Sequence, residues 1–572
     1  MQQDGKLKSE SYRSTAGKVY ALPACKFLIQ EGNIMKMKTL MKKAAAVAAA
    51  GVLGTSLLPS AVFAADSFTG LIQENLAAKL PAFAQAYSES LANSGETKGS
   101  AQVGIDVTLG DVGKQLLAST GIDFSWLNSA TLNMGVAVDD LNATIIGEAL
   151  VNGTHIASLN AIADMQNMIE YIQIPELSDA YAYISLNSAL AQAGIDPAQY
   201  QQILDMAKNI GQYYPTGEQL TSLISKYVPV ILSGVTDQGT STASVTASGV
   251  TAECTVYEAT LDEKGAIAIV QALNDTVATD TELEAVLDNF GTLFAQLGQP
   301  MDLYEQLKAT LAQTAQEASS STADSTEYFD FKVFQDAEGN MAAFTMECYD
   351  APGAIATDAP TINIKFPKSG DQIGFEASIA MEGEAYSITG AGTLADGKLS
   401  GSYNVNVGPQ AVATITLTDV TTDAAADPVT GSASVQLVQS EMTQSDSTLQ
   451  MLASFTPVCS WNFSKASKSG SLTLDIQTGG ASLGTATISF APAEITALGA
   501  PSAATSYNIE DDTQANSWIS GFKIDALLAN LQAAGVPESL INQVMGTGDP
   551  AAAGAAAPAD GTAEAVEVDP AA

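Results

Sequence analysis

The segment from 361 to 438 consists almost entirely of apolar residues that alternate with polar ones. Runs such as Ile362-Asn-Ile364-Lys-Phe366 and Tyr403-Asn-Val405-Asn-Val407 have the two-residue period of a β-strand with one face on a core. Short turn sequences, including Asp396-Gly397 and Gly408-Pro409, separate the runs. Because links this short cannot carry a crossover helix, we expect the strands to pair antiparallel as a meander.

Similar alternation between 103 and 186 predicts an earlier meander, and helical patterns lie between the two. We expect a helix over 197–210 and a second that begins at the capping box Thr216-Gly-Glu-Gln219. A second box, Thr279-Asp-Thr-Glu282, precedes an apolar helical stripe that includes Leu287, Phe290 and Phe294. These patterns predict an α+β protein with a large curled antiparallel sheet covered by mid-chain amphipathic helices.

The chain divides into five segments. We expect a leader of doubtful translation at 1–36, a signal peptide at 37–64 and a disordered acidic Ala/Pro tail at 547–572. Between them lie a first β-meander with its helical block, 67–325, and a second β-meander with C-terminal helices, 326–546. The two meanders can also form one continuous sheet.

The predicted signal peptide has the three parts of a Sec-type leader. Lysines at 38, 42 and 43 form the basic region, Ala44 to Leu58 is apolar, and Val62 and Ala64 supply the small side chains for cleavage after Ala64. The apolar region is too short to span a membrane, and no transmembrane segment is predicted in the mature chain. We therefore expect a secreted or extracytoplasmic bacterial protein, in the cell envelope or outside it.

Charge excludes one class of partner. The net charge is −40, and the only arginine, Arg13, lies in the leader. Residues 66–572 hold 14 lysines against 60 acidic residues. A body of this kind repels a phosphate backbone, so we expect no nucleic-acid binding.

Most catalytic and metal-binding residue sets are missing. His155 is the only histidine, it lies in a strand-like run, and we interpret it as structural. Cys254, Cys348 and Cys459 have no zinc-type spacing, can form at most one disulfide, and fit buried structural cysteines. We therefore expect no cofactor, no metal and no enzymatic activity. One catalytic alternative stays open, a hydrolase that uses two carboxylates alone.

Three segments carry a resemblance to a known family. Tyr171-Ile-Gln-Ile-Pro-Glu-Leu-Ser-Asp-Ala-Tyr-Ala-Tyr-Ile-Ser, Cys254-Thr-Val-Tyr-Glu-Ala-Thr-Leu-Asp-Glu-Lys264 and Ile524-Asp-Ala-Leu-Leu with its following Ala-Gly-Val-Pro-Glu538 resemble segments of secreted Firmicutes proteins. The order of elements is similar to the LolA/LppX-type lipoprotein-carrier fold. That resemblance implies an unclosed barrel whose helices cover a lipid-holding cavity.

We therefore predict a secreted, non-enzymatic protein that binds a lipid or another apolar small molecule between sheet and helices. The alternative is a structural or surface-interaction protein without a ligand cavity. The candidate lining residues are apolar positions of the second meander and of the mid-chain stripe: Ile364, Phe375, Ile388, Tyr403, Ile415, Leu287, Phe290 and Phe294.

Overall fold

A computed structural model describes most of the chain. The described residues are 65–94, 98–119, 123–139, 142–187, 206, 209–296, 299–320, 326–356, 361–381, 384–423, 426–439, 447–502 and 505–544. The predicted leader, signal peptide and acidic tail lie outside these ranges, as does most of the helix predicted over 197–210.

The segments in which apolar and polar residues alternate form one large sheet of 22 strands, which is not closed. The strands are β1 Lys98–Leu109, β2 Ser129–Asp139, β3 Asn142–Val151, β4 Thr154–Asp164, β5 Ile169–Gln173, β6 Tyr181–Ser185, β7 Thr236–Ala247, β8 Val250–Asp262, β9 Tyr328–Asp336, β10 Met341–Ala351, β11 Ala354–Ile355, β12 Thr361–Lys365, β13 Lys368–Ser369, β14 Gln372–Met381, β15 Glu384–Ala395, β16 Lys398–Val407, β17 Gln410–Thr421, β18 Val429–Leu437, β19 Thr456–Ser464, β20 Ser469–Thr478, β21 Ala481–Pro492 and β22 Ser506–Asn508. The pairing is antiparallel except between β22 and β6, which run parallel.

Ten α-helices and one 3-10 helix, Ile210–Tyr213, occur in the described ranges. The α-helices are α1 Phe68–Ser94, α2 Asp111–Ser119, α3 Gly217–Leu232, α4 Glu263–Val277, α5 Thr281–Gln296, α6 Leu303–Ser320, α7 Ser447–Leu452, α8 Asp512–Ser520, α9 Ile524–Ala533 and α10 Glu538–Val544. Within the same ranges, no helix has the length and apolar character needed to cross a membrane.

The two meanders join through a pairing between strands that are far apart in sequence. Strand β1 pairs with β2 on one side and with β21 on the other, from Ala101 opposite Pro492 to Leu109 opposite Gly484. The main run of neighbours is therefore β6-β5-β4-β3-β2-β1-β21-β20-β19-β18-β17-β16-β15-β14-β12-β10-β9-β8-β7. One sheet thus carries both meanders, and the structure is α+β with a curled sheet.

The register gives the sheet two chemically different faces. One row crosses it through Leu132, Ile105, Ile488, Leu472 and Trp461, and we call its side the apolar face. The opposite side, which we call the hydroxyl face, carries Ser, Thr and Asn side chains that hydrogen-bond across strands. For example, the hydroxyls of residues 473 and 487 are 2.9 Å apart, and the hydroxyl of residue 414 donates to the amide oxygen of residue 404 at 3.0 Å. Because successive side chains of a strand point to opposite faces, the alternation of apolar and polar residues in the sequence gives one apolar face and one polar face.

The main core covers the apolar face at one end of the sheet only. Helices α1, α3 and α4 pack there against β8, β9 and β10. Phe329, Phe331 and Phe344 are almost fully buried, and the ring of Phe331 lies 6.1 Å from that of Phe68. The cover reaches Ile362 on β12. We expected the mid-chain helices to cover the sheet, and the structure shows that α3 and α4 cover this end.

The same end of the sheet curls toward its hydroxyl face. The hairpin of β7 and β8 folds over β12, β14 and β15. The hydroxyl of Ser248, at the hairpin turn, donates to the carbonyl of Phe375 at 3.3 Å, and a side chain at Gly374 would collide with the backbone of Ala247. A small second core, which includes Val245 and Cys254, fills the curl.

The helix starts follow their predicted caps closely. At α3, the hydroxyl of Thr216 accepts from the backbone N–H of Gln219, and the reciprocal bond is also made, which confirms the first capping box. At α5 the prediction is wrong by one residue. The carboxylate of Asp280, rather than the hydroxyl of Thr279, accepts from the backbone N–H groups of Glu282 and Leu283.

Candidate functional site

The apolar face beyond β14 carries large hydrophobic side chains that remain exposed to solvent. Thirteen of them, spread from β14 to β5, are between 36% and 50% exposed: Val107, Leu132, Val138, Ile145, Leu159, Ile172, Ile379, Tyr386, Val435, Leu472, Leu474, Ile488 and Phe490. Across the ten strands from β16 to β4, the paired positions that the structure describes on this face hold no charged residue.

The size of this exposed surface sets it apart from ordinary surface hydrophobics. Ten strands span about 43 Å across the sheet, and five alternating apolar positions span about 27 Å along each strand. The face therefore presents roughly 1,200 Å², at least twice the largest apolar patch of a typical monomer. Patches of this size mark sites where a ligand, a membrane or another protein binds.

Glycines on this face make room for aromatic rings of neighbouring strands. A Cβ at Gly470 would collide with the ring of Phe463 and approach that of Phe490 to 3.0 Å. The two rings are stacked with their centroids 6.0 Å apart. Tyr403 lies in the same way beside Gly390, where a Cβ would be 2.7 Å from its ring. Of these rings, Phe490 stays 42% exposed, whereas Tyr403 is only 7% exposed.

The structure places the eight predicted lining residues in two groups. Five lie on the apolar face of β12 and β14–β17: Ile364, Phe375, Ile388, Tyr403 and Ile415. The ring of Phe375 lies 5.9 Å from that of Tyr403, edge to face. The other three are on α5: Leu287, Phe290 and Phe294. The main contacts of α5 are with α3, α6 and the 3-10 helix, where Phe290 packs on Tyr214 at 5.6 Å.

His155 lies between two carboxylates at the start of β4. Its Nε2 is 2.7 Å from Glu176 and its Nδ1 is 3.1 Å from Glu148. Glu176 also accepts from the backbone N–H and the hydroxyl of Ser158. The hydrogen bond to Glu176 is the main reason why the pKa of His155 is raised. Both ring nitrogens therefore have partners within the fold, which fits the structural interpretation.

The cysteines of the described chain are thiols, and no disulfide joins them. Cys254 lies in the small core and Cys348 in the main core, and both are buried, whereas Cys459 is partly exposed. Burial raises the pKa of the Cys254 thiol to about 11. The sequence interpretation of buried cysteines is confirmed for the first two.

A charged cluster on the hydroxyl face of β8–β10 was missed by sequence reasoning. Lys332 lies 2.8 Å from Asp330 and 3.3 Å from Glu258. Burial raises the pKa of the Asp330 carboxyl, although Lys332 opposes the shift. In sequence, Asp330 and Lys332 alternate with Phe329, Phe331 and Val333, a pattern that predicts a solvated polar face. The only available signal was a lysine two positions from an aspartate.

Comparison with known proteins gives no relative. No protein-family model matches the chain, and neither a curated protein nor a solved structure matches it. No group of three or more His, Cys, Asp or Glu residues in the described ranges is arranged to hold a metal ion. The functional argument therefore depends on the geometry of the sheet.

Proposed function

We propose that this is a secreted, non-enzymatic binding protein that holds the hydrocarbon chains of lipids on its apolar face. The observation that carries the proposal is a ten-strand surface whose described paired positions hold no charged residue and on which ten large side chains, such as Leu472 and Ile488, stay 36% to 47% exposed. The sequence resemblance to the lipoprotein-carrier fold implies the same class of ligand.

The chemistry of the face favours hydrocarbon over a protein partner. A protein interface of about 1,200 Å² usually contains about 6 to 12 hydrogen bonds, and even homodimer interfaces are only about 65% apolar. The central positions of this face are aliphatic, aromatic or glycine, as in the row of Leu132, Ile105, Ile488 and Leu472. A ligand without hydrogen-bonding groups matches such a surface best.

The dimensions fit extended acyl chains. A ten-residue strand spans about 34 Å, which is long enough for one chain to lie along it. If half the surface of about 16 methylene groups is covered, the contact contributes about 6 kcal/mol before ordering costs. A single chain is therefore held weakly, and lipids with two or more chains are the expected ligands.

Secretion remains part of the proposal. The predicted cleavage site follows Ala64, and Ala65, Phe68 and Leu71 lie in the main core. Cleavage after Ala64 would leave these three residues in the mature chain.

The test compares two substitutions on neighbouring residues of β21 that point to opposite faces. Ile488→Asp puts a carboxylate on the apolar face, and Thr487→Asp puts one on the hydroxyl face, as the matched control. Lipids that co-purify are identified by native mass spectrometry, and uptake of a fluorescent fatty acid is titrated. We expect binding to wild type and to the Thr487 variant, and at least tenfold weaker binding to the Ile488 variant.

Two results would contradict the proposal. Absence of both co-purified lipid and fatty-acid uptake in the wild-type protein would exclude acyl-chain binding. Self-association that is lost in the Ile488 variant, without lipid binding, would instead favour the structural alternative, in which a second copy covers the face.

A further inference from the structure

His155 joins two parts of the fold that lie apart in the chain. It is at the start of β4, whereas its closest partner, Glu176, is in the loop of residues 174–180 between β5 and β6, which we call the β5–β6 loop. The carboxylate of Glu176 contacts β4 at three points: Nε2 of His155 at 2.7 Å, the backbone N–H of Ser158 at 2.8 Å and the hydroxyl of Ser158 at 3.0 Å. Glu176 therefore fastens the loop to β4.

The C-terminal segment of residues 505–544, which contains β22 and α8 to α10, is anchored to both of these parts. Two of its hydrogen bonds end on carbonyls of the β5–β6 loop: the backbone N–H of Lys523 to Leu177 at 2.8 Å, and the indole N–H of Trp518 to Ala180 at 3.3 Å. Another ends on β4, where the side-chain amide of Asn530 donates to the carbonyl of Ile156 at 3.0 Å. The next residue along β4 from this anchor is His155, so the contact between His155 and Glu176 sets how the two anchors lie relative to each other.

The same segment closes one edge of the sheet. Strand β22 pairs in parallel with β6, from Ser506 opposite Tyr181 to Asn508 opposite Tyr183. The backbone N–H of Ile509 extends this pairing to the carbonyl of Tyr183 at 3.1 Å. Because β6 begins where the β5–β6 loop ends, movement of the loop also affects this pairing. Loosening of the segment would expose the backbone groups of an edge strand, to which other strands can pair.

The hydrogen bonds of the imidazole are complete only when it is protonated. Nδ1 lies 3.1 Å from Glu148 on β3, and Nε2 lies 2.7 Å from Glu176. An ionised carboxylate only accepts, and a neutral imidazole has one N–H, so only the imidazolium can donate to both carboxylates. The hydrogen bond to Glu176 is also the largest cause of the raised pKa of His155.

The charged groups that act on the imidazole are the carboxylates of Glu176 and Glu148. The hydroxyl of Ser158, 3.5 Å from Nε2, donates to Glu176. On the C-terminal segment, Lys523 forms its ion pair with Asp179 of the β5–β6 loop. Histidine is the side chain whose ordinary titration falls between pH 5 and 8, so the charge at this interface changes there through His155.

We propose that His155 is a pH-dependent latch, whose proton holds the β5–β6 loop on β4 and keeps residues 505–544 docked. Below pH 6.5 the imidazole is charged and the latch is closed. As the pH rises through the raised pKa of His155, the charge-assisted bond to Glu176 is lost and only the bonds from Ser158 remain. The C-terminal segment then loosens, whereas the main core, at the other end of the sheet, stays folded.

A single histidine makes the latch directly observable. In the tag-free mature chain labelled with ¹³C-histidine, one imidazole NMR signal reports the titration of His155. Hydrogen–deuterium exchange, measured by mass spectrometry and divided by the intrinsic rate at each pH, reports the docking of residues 505–544. We expect exchange in this segment to become about fivefold faster or more as the charge-assisted bond is lost. The midpoint should coincide with that of the imidazole titration, and exchange in β9 and β10 should stay constant.

Two substitutions separate the latch from other effects of pH. His155→Gln is neutral at every pH, so exchange in residues 505–544 should be fast and independent of pH. Glu148→Gln is the matched control, because it removes the carboxylate on β3 and leaves Glu176 in place. In this variant the transition should remain but move to lower pH, since one of the two carboxylates that favour the imidazolium is gone.

Three results would overturn the proposal: constant exchange in residues 505–544 while the imidazole titrates, a transition that persists in His155→Gln, or titration of the imidazole at or below pH 6.5. If His155→Gln does not fold, as judged by circular dichroism, the agreement or disagreement of the two midpoints in wild type decides. Lipid uptake enters neither measurement, so the latch and the proposed function can fail separately.

Discussion

The open apolar face makes a quantitative prediction about two phenylalanines of the same sheet. Phe344 is fully buried in the main core, whereas Phe490 on the apolar face is 42% exposed. Phe344→Ala loses the transfer free energy of the ring and leaves a cavity, which together lower the free energy of unfolding by about 3 to 5 kcal/mol. Phe490→Ala loses only about half of the transfer free energy and leaves no enclosed cavity, so its cost is about 1.5 kcal/mol.

Urea denaturation followed by circular dichroism measures both costs. The protein should be delipidated first, because a lipid bound to the face would stabilise the folded state. Two protein concentrations, tenfold apart, are needed because a second copy bound to the face would stabilise it more at the higher concentration. We expect Phe344→Ala to cost at least twice as much as Phe490→Ala at both concentrations. Equal costs, or a cost for Phe490→Ala that grows with protein concentration, would show that a second layer covers the face in solution.

Three further predictions concern a histidine, a helix cap and the cysteines. The pKa of His155 is raised above its ordinary value of 6.5, mainly by the hydrogen bond to Glu176. The contribution of His155 to stability is therefore complete below pH 6.5 and is lost as the pH rises through the raised pKa. The urea midpoint of wild type should fall over this pH range, and the midpoint of His155→Gln should lack that dependence. Asp280→Ala removes the cap of α5 and the partner of two α3 side chains, so it should lower the free energy of unfolding by about 2 to 4 kcal/mol in urea denaturation. Iodoacetamide at pH 8 should alkylate Cys459 well before Cys254, whose burial raises its pKa to about 11, and peptide mass spectrometry gives the order.

Local chemistry made the strands and turns of this fold predictable. At the turn Asp396-Gly397, both residues have positive φ, as a two-residue hairpin with a type I′ turn requires, and Gly408 also has positive φ. Alternation then fixes which side chains share a face, because each strand pairs with a neighbour through a short link. Tyr403 and Ile415, for example, are predicted on one face and lie directly opposite each other in β16 and β17.

The same patterns do not say what lies against each face. The stripe of α5 indicates one buried side, but Phe290 meets Tyr214 rather than the sheet. Asp330 alternates with core phenylalanines as a solvated residue would, yet the curl of β7 and β8 over the hydroxyl face accompanies its burial. Such contacts join segments that are distant in sequence, and their geometry depends on how the whole sheet bends.

The glycines of the apolar face explain how a single-layer sheet keeps its aromatic residues packed. A ring that stands upright on one sheet layer gains contacts only from its neighbours, but a ring that lies over a glycine also contacts the backbone beneath it. Phe463 and Phe490 share Gly470 in this way, and Tyr403 uses Gly390. A ring that packs over a glycine of the neighbouring strand stabilises the pairing of the two strands, as aromatic side chains do over glycines in other sheets. The two sites differ in what covers the ring, because Phe490 stays 42% exposed whereas Tyr403 is only 7% exposed. The part of the face around Phe490 is therefore the part on which hydrocarbon has most ring surface to contact.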